Sequence, residues 1–109
     1  IKSEFENADI IFLTPNQLES RPDKSVDLFL NISSLHEMRM EQIAYYFQEI
    51  ERLTRKYFYF KQWKETTVPF ENETIREADY PVGSDWNLVY RQQCKVQLKF
   101  FEALYELPD

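Results

Sequence analysis

Apolar and polar positions along the chain alternate in runs that predict strands and helices. An apolar run over residues 8–14 stops at Pro15-Asn16, and a second over 25–32 passes into a polar stretch, 31–38. Both runs are largely apolar rather than alternating, which is typical of parallel strands covered on both faces. Because ligands in open α/β sheets bind beyond the carboxyl ends of strands, the polar stretch is the first candidate for a site.

The following segment predicts one main helix and a third strand. Between residues 39 and 55, apolar side chains recur at the spacing of one helix face, at Met40, Ile43, Ala44, Phe47 and Ile50. Residues 56–63 are mostly aromatic and predict a strand. A strand, a helix and a strand at this spacing indicate a βαβ unit, in which the two strands are parallel.

The last third of the chain predicts a long loop and a hairpin. Residues 66–85 have no regular period. Residues 86–91 predict a strand, and the alternation over 96–107 predicts another with a bulge near Phe101-Glu102. A terminal helix over 97–106 is the alternative. The turn of the hairpin would lie at residues 92–95, and residues 1–109 would form a single domain.

Composition excludes several classes of protein. The net charge of −6 argues against nucleic-acid or anionic-membrane partners, and no apolar run reaches the roughly 20 residues that span a bilayer. One Cys and one His exclude an internal disulfide and an ordinary zinc site, so we expect no metal. Gly83 is the only glycine, which excludes a glycine-rich phosphate loop. We expect a cytoplasmic protein, and, because the chain begins at Ile1, a fragment of a longer one.

Five stretches carry a family resemblance. Residues 27–38, 42–47, 52–53 and 57–63 resemble the sugar O-methyltransferase family, which belongs to the class I S-adenosylmethionine-dependent methyltransferases. Residues 101–105 are similar to that family's C-terminal end. The resemblance implies an α/β fold: the C-terminal portion of a Rossmann-like sheet of order 3-2-1-4-5-7-6, with a parallel βαβ unit followed by an antiparallel hairpin. The N-terminal strands with the glycine loop would be lacking, so we expect this chain alone to be inactive.

The resemblance also implies a cofactor site. S-adenosylmethionine would bind in the full-length parent. Asn16 and Gln17 would approach its adenine ring, and Asn31 and Ser33 would face the transferable methyl group.

For the acceptor, the resemblance implies a small molecule with a sugar hydroxyl. Ser34, Lys61 and Trp63 would contact it. A hydroxyl is a weak nucleophile, so a base assists, and His36 or Glu37 is the candidate. The structural alternative is that His36 and Glu37 take part in capping a helical turn that begins at Ser34.

The implied strand order has a consequence for partners. The third and fourth strands are not neighbours in it, so the edge formed by residues 27–32 would be unpaired. We expect residues 10–13 to move onto this edge, or two chains to pair across it as a homo-oligomer. The rival to the enzyme is a non-catalytic α/β protein-interaction module.

Overall fold

The structure, a computed structural model, describes residues 14–68 and 73–108. Its helices are α1 (Pro15–Leu18) and α2 (Met40–Leu53), and its strands are β1 (Val26–Ile32), β2 (Thr54–Trp63), β3 (Glu65–Val68), β4 (Glu73–Arg76), β5 (Asn87–Gln93) and β6 (Phe100–Glu106). Short 3-10 helices cover Leu35–Glu37 and Glu77–Asp79. Of the strand predicted over 8–14 only Thr14 is described, and the expected movement of residues 10–13 lies outside the described residues.

Four strands form the main sheet, in the order β1-β2-β6-β5. β1 and β2 are parallel, while β6 is antiparallel to both β2 and β5. This confirms the predicted βαβ unit and the antiparallel hairpin that follows it. The order is also the one that the resemblance implies for strands four to seven.

Helix α2 covers one face of this sheet. Its buried side chains recur at helical spacing, at Ile43, Phe47, Ile50 and Leu53, close to the predicted stripe. The Phe47 ring meets the rings of Phe58 and Phe60 edge-on, with centroids 5.6 and 5.9 Å away. Aromatic packing between α2 and β2 therefore fixes the helix over the centre of the sheet. No helix in the described ranges is long and apolar enough to cross a membrane.

The opposite face of β1 is more exposed than predicted. Leu28, Leu30 and Ile32 are 49%, 55% and 54% exposed, whereas Phe29 packs against Phe58 on the helix side. The expectation of a strand covered on both faces was therefore wrong for the described residues. A continuous apolar run shows that both faces of a strand suit burial, but it does not supply the layer that buries them.

The prediction of a long loop over 66–85 is wrong for its first part, because β3 and β4 form an antiparallel hairpin there. Thr66 lies opposite Ile75, whose side chain reaches the core. Each arm has four residues, which is too short to display a clear period of two.

The bulge predicted near Phe101-Glu102 is wrong too. β6 pairs with β2 without interruption, and the irregularity lies in β5 between Leu88 and Tyr90. Adjacent phenylalanines broke the alternation because both faces of β6 are covered at its start: Phe100 packs on Trp63 and Phe101 on Phe60. The alternative helix over 97–106 is excluded, and the turn spans 94–99 rather than 92–95.

Candidate functional site

The candidate site forms where β1 and β2 end side by side. In the parallel register Ile32 lies opposite Lys61, so the loop after β1 crosses the end of β2. Ser33 turns the chain with a φ of 58°, and its N–H donates to the Lys61 carbonyl at 2.7 Å. A left-handed conformation at a residue other than glycine is strained, and such strain concentrates at functional sites.

The amide of Gln62 holds this loop in place. Its side chain is fully buried, and Oε1 accepts a hydrogen bond from the His36 backbone N–H at 3.3 Å. Nε2 donates to Asn31 Oδ1 at 2.7 Å and to the Asn31 carbonyl at 3.3 Å. The Ser34 hydroxyl donates to the same Asn31 Oδ1 at 2.9 Å. We call Asn31, Ser34, His36 and Gln62 the edge network, since it joins the loop to β2.

The hydrogen bonds of His36 define its tautomer. Its Nδ1 accepts from the Trp63 backbone N–H at 3.1 Å, so the neutral ring carries its proton on Nε2. The side chain is only 3% exposed and meets the rings of Trp63 and Phe100 edge-on. Burial lowers the pKa of His36, and the neighbouring Glu37 carboxylate opposes this only in part. His36 is therefore a neutral side chain that can donate through Nε2.

A cleft opens beside this imidazole. It has a volume of about 390 Å³ and is lined by His36, Glu37, Trp63, Thr66 and Thr67. That volume lies within the range of small-molecule sites. A ring N–H, a carboxylate, two hydroxyls and an indole surround it, so it can bind a small molecule that carries hydroxyl groups. We call it the His36 cleft.

A second cleft adjoins the first across Trp63. It has a volume of about 410 Å³ and is lined by Trp63, Lys64, Glu65, Leu98 and Lys99. We call it the Lys99 cleft.

A third and larger cleft, of about 440 Å³, lies at the other end of the strands. Its lining is Arg55, Lys56, Tyr57, Glu106, Leu107 and Pro108. This cleft lies at the amino end of β2, away from the edge where open α/β sheets bind ligands, so we propose no ligand for it.

The structure brings most of the predicted acceptor residues together. Ser34 and His36 belong to the edge network, while Glu37 and Trp63 line the His36 cleft. The Lys61 ammonium lies 5.4 Å from the centre of the Phe100 ring, on the far side of β2 from the buried Gln62. The predicted helical turn at Ser34 exists, but the Ser34 hydroxyl bonds to Asn31 rather than capping that turn.

The predicted cofactor residues fall into two groups. Asn31 and Ser33 lie at the end of β1, whereas Asn16 and Gln17 lie in α1. The hydrogen bonds of α1 are either local or run to α2, where Arg52 donates to the Leu18 carbonyl at 3.0 Å. No hydrogen bond among the described residues joins α1 to the edge network.

Sequence reasoning missed three residues of the site. Thr66 and Thr67 lay in what was predicted to be loop. Gln62 gave a usable signal, because it continues the alternation of Phe58 and Phe60 and so places an amide on a buried apolar face. Within residues 14–68 and 73–108, no group of three or more His, Cys, Asp or Glu side chains could hold a metal ion.

Comparisons with known proteins bear on the fold. Neither a protein-family model nor a curated protein matches this sequence. Among solved structures, the chain is similar to the crystal structure of "a putative type 11 methyltransferase from Sulfolobus solfataricus", with a TM-score of 0.64 and 21% sequence identity. The match covers 99% of this chain and 64% of that chain, so the chain spans less than two thirds of the other protein's length. Its mixed parallel and antiparallel sheet therefore has a partial methyltransferase-like fold.

Proposed function

We propose that this chain is the C-terminal part of an S-adenosylmethionine-dependent O-methyltransferase that acts on a hydroxyl of a small-molecule acceptor. The observation that carries the proposal is the edge network. It fixes a hydrogen-bond donor beside a carboxylate in a cleft at the carboxyl ends of two parallel strands. The similarity of the fold to a methyltransferase supports the class of reaction.

The tautomer of His36 separates the roles of the two candidate catalytic residues. Its Nδ1 lone pair is engaged by the Trp63 N–H, so His36 orients the acceptor oxygen by donating from Nε2. Glu37 lies on the same cleft with an exposed carboxylate, and it takes the proton as the oxygen attacks. Alignment of the acceptor with the methyl group and exclusion of water contribute the rest of the rate enhancement.

S-adenosylmethionine supplies the electrophilic methyl group when it is bound. Asn31 and Ser33 suit its polar groups, because Asn31 Oδ1 already accepts two hydrogen bonds and its amide N–H groups remain as donors. Asn16 and Gln17 would contact the adenine. Gly83 is the only glycine, so this chain supplies no glycine loop, and we propose that it is inactive alone.

The finer proposal is a sugar acceptor. It rests on the resemblance of residues 27–38 and on the setting of Trp63, whose indole borders the His36 cleft and offers a stacking surface. Ser34 and Lys61 would add polar contacts from the two strand ends.

Titration of S-adenosylhomocysteine tests the proposal. We expect the full-length product of the parent gene to bind and this chain alone to bind weakly or not at all. In the active protein, Glu37→Gln should lower the turnover number about 100-fold or more while leaving S-adenosylhomocysteine affinity unchanged. Glu51→Gln is the matched control, since Glu51 is an exposed glutamate on α2.

A second candidate function is a non-catalytic protein-interaction module. The observation that favours it is the exposed apolar row of Leu28, Leu30 and Ile32 on β1. Failure of both the full-length protein and this chain to bind S-adenosylhomocysteine would refute the methyltransferase and leave this function.

A further inference from the structure

Three lysines surround the aromatic pair Trp63 and Phe100, whose ring centroids lie 5.0 Å apart. The Lys99 ammonium lies 5.9 Å from the centre of the Trp63 ring, and the Lys61 ammonium lies 5.4 Å from that of Phe100. Lys64 follows Trp63 and donates a hydrogen bond to Gln93 Oε1. We call Lys61, Lys64 and Lys99 the lysine cluster.

None of the three lysines forms an ion pair with another residue in the described part of the chain. Glu102 lies opposite Lys61 in the pairing of β2 and β6. Hydrogen bonds from Gln92 and Tyr59 lower the pKa of Glu102, and the Lys61 charge contributes to this lowering. Glu65 lies 3.6 Å from Arg76. In a chain with 19 acidic and 13 basic residues, three adjacent lysines that form no ion pair create a local positive potential, which Glu102 reduces on the Lys61 side.

This potential lies next to the proposed site of reaction. Lys64 and Lys99 line the Lys99 cleft, and Trp63 borders both that cleft and the His36 cleft. A ligand whose hydroxyl lies near His36 can therefore extend past Trp63 to the lysines. Leu98, which is 61% exposed, adds an apolar wall to the second cleft.

We propose that the acceptor carries an anionic group, a phosphate or a carboxylate, which the lysine cluster binds while the reacting hydroxyl lies in the His36 cleft. This inference rests on the proposed function for the identity of the ligand as an acceptor. Lysine ammonium groups suit phosphate and carboxylate oxygens as point charges, and the acidic surface elsewhere directs an anion to this place.

The test uses the protein without cofactor and a matched pair of probes, glucose and glucose 6-phosphate, with inorganic phosphate as a third. Binding is followed by ¹H–¹⁵N spectra, in which the Trp63 indole reports on both clefts. We expect glucose 6-phosphate to bind about tenfold or more tightly than glucose, and added salt to reduce the difference. The double variant Lys64→Gln/Lys99→Gln should abolish that preference. Lys56→Gln, at the opposite end of β2, should keep it.

Equal affinity for glucose and glucose 6-phosphate would overturn the inference. So would an equal loss of binding in the Lys56→Gln control, or phosphate-induced shifts confined to the cleft of Arg55 and Lys56. Because no cofactor is present, the result is independent of the S-adenosylhomocysteine titration. Phosphate binding at the lysine cluster, when the full-length protein also fails that titration, would support the anion site and refute methyl transfer.

Discussion

Replacing Gln62 by leucine tests whether the edge network holds the candidate site together. The leucine has a similar volume and fits the apolar face that Gln62 shares with Phe60 and Phe101. It removes the oxygen that accepts the His36 N–H, and it removes both hydrogen bonds that Gln62 Nε2 donates to Asn31. The perturbation therefore deletes hydrogen bonds without opening a large cavity.

The magnitude follows from which groups stay buried. His36 is 3% exposed, so its N–H loses its partner where water hardly reaches, which costs about 1–3 kcal/mol. Asn31 is only half-buried and keeps the hydrogen bond from Ser34. Losing its hydrogen bonds from Gln62 therefore costs less, about 0.5–1 kcal/mol of stability. Apolar packing of the leucine offsets part of this. We expect Gln62→Leu to lower the free energy of unfolding by about 2–3 kcal/mol.

Urea denaturation followed by tryptophan fluorescence and circular dichroism measures this change. Gln48→Leu is the matched control on the exposed side of α2, and it should change stability by less than about 0.5 kcal/mol. Asn31→Ala combined with Gln62→Leu should cost less than the sum of the single changes, because both act on one network. If Gln62→Leu were as stable as the Gln48→Leu control, the amide would not hold the loop and the argument for the site would fail.

Other predictions concern the same edge and strand β1. Burial lowers the pKa of His36 below its ordinary 6.5, so the unfolded chain binds a proton first as pH falls. Stability should therefore decrease below about pH 6.5 by up to about 1.4 kcal/mol per pH unit, and His36→Asn should remove this slope in urea titrations. The Ser33→Gly variant should be more stable than the Ser33→Val variant by more than about 1 kcal/mol, because glycine accepts the left-handed backbone at this position without strain. Thermal melting curves compare the two variants, and equal curves would contradict this. We propose that two chains pair across β1. Leu30→Glu should then lower the particle mass measured by light scattering, whereas the control Leu88→Glu should not. A monomeric wild-type protein would refute this proposal.

The parts of the fold that sequence predicted are those with long, local patterns. The stripe on α2 runs over about three turns, and the aromatic run of β2 favours a strand strongly. Their sequential order then requires a parallel pair. The β3–β4 hairpin was not predicted because its arms are too short to show a period of two. The bulge in β6 was predicted wrongly because Phe100 and Phe101 are adjacent and both buried, which interrupts the alternation in the sequence without a bulge in the strand.

The sequence indicated where to look for a candidate site but not the contacts that organise it. From local sequence alone, the polar stretch after β1 indicated the edge of the sheet at which the structure forms the edge network and the His36 cleft. The bonds that organise it join residues 26 to 31 positions apart, from Asn31 and His36 to Gln62 and Trp63. Such contacts depend on the parallel register of β1 and β2, which a single sequence does not specify.

Residue types alone do not say whether His36 and Asn31 would donate or accept hydrogen bonds at a ligand. Their hydrogen-bond partners in the structure restrict this choice. A histidine offers a donor or an acceptor, and an asparagine offers both. Here the Trp63 N–H occupies His36 Nδ1, while Ser34 and Gln62 occupy Asn31 Oδ1. The groups that His36 and Asn31 have left for a ligand are therefore hydrogen-bond donors. The charged side chain that lines the His36 cleft is Glu37, whose carboxylate can accept a proton. This division supports Glu37 rather than His36 as the proposed base, although the sequence presented the two as equal candidates.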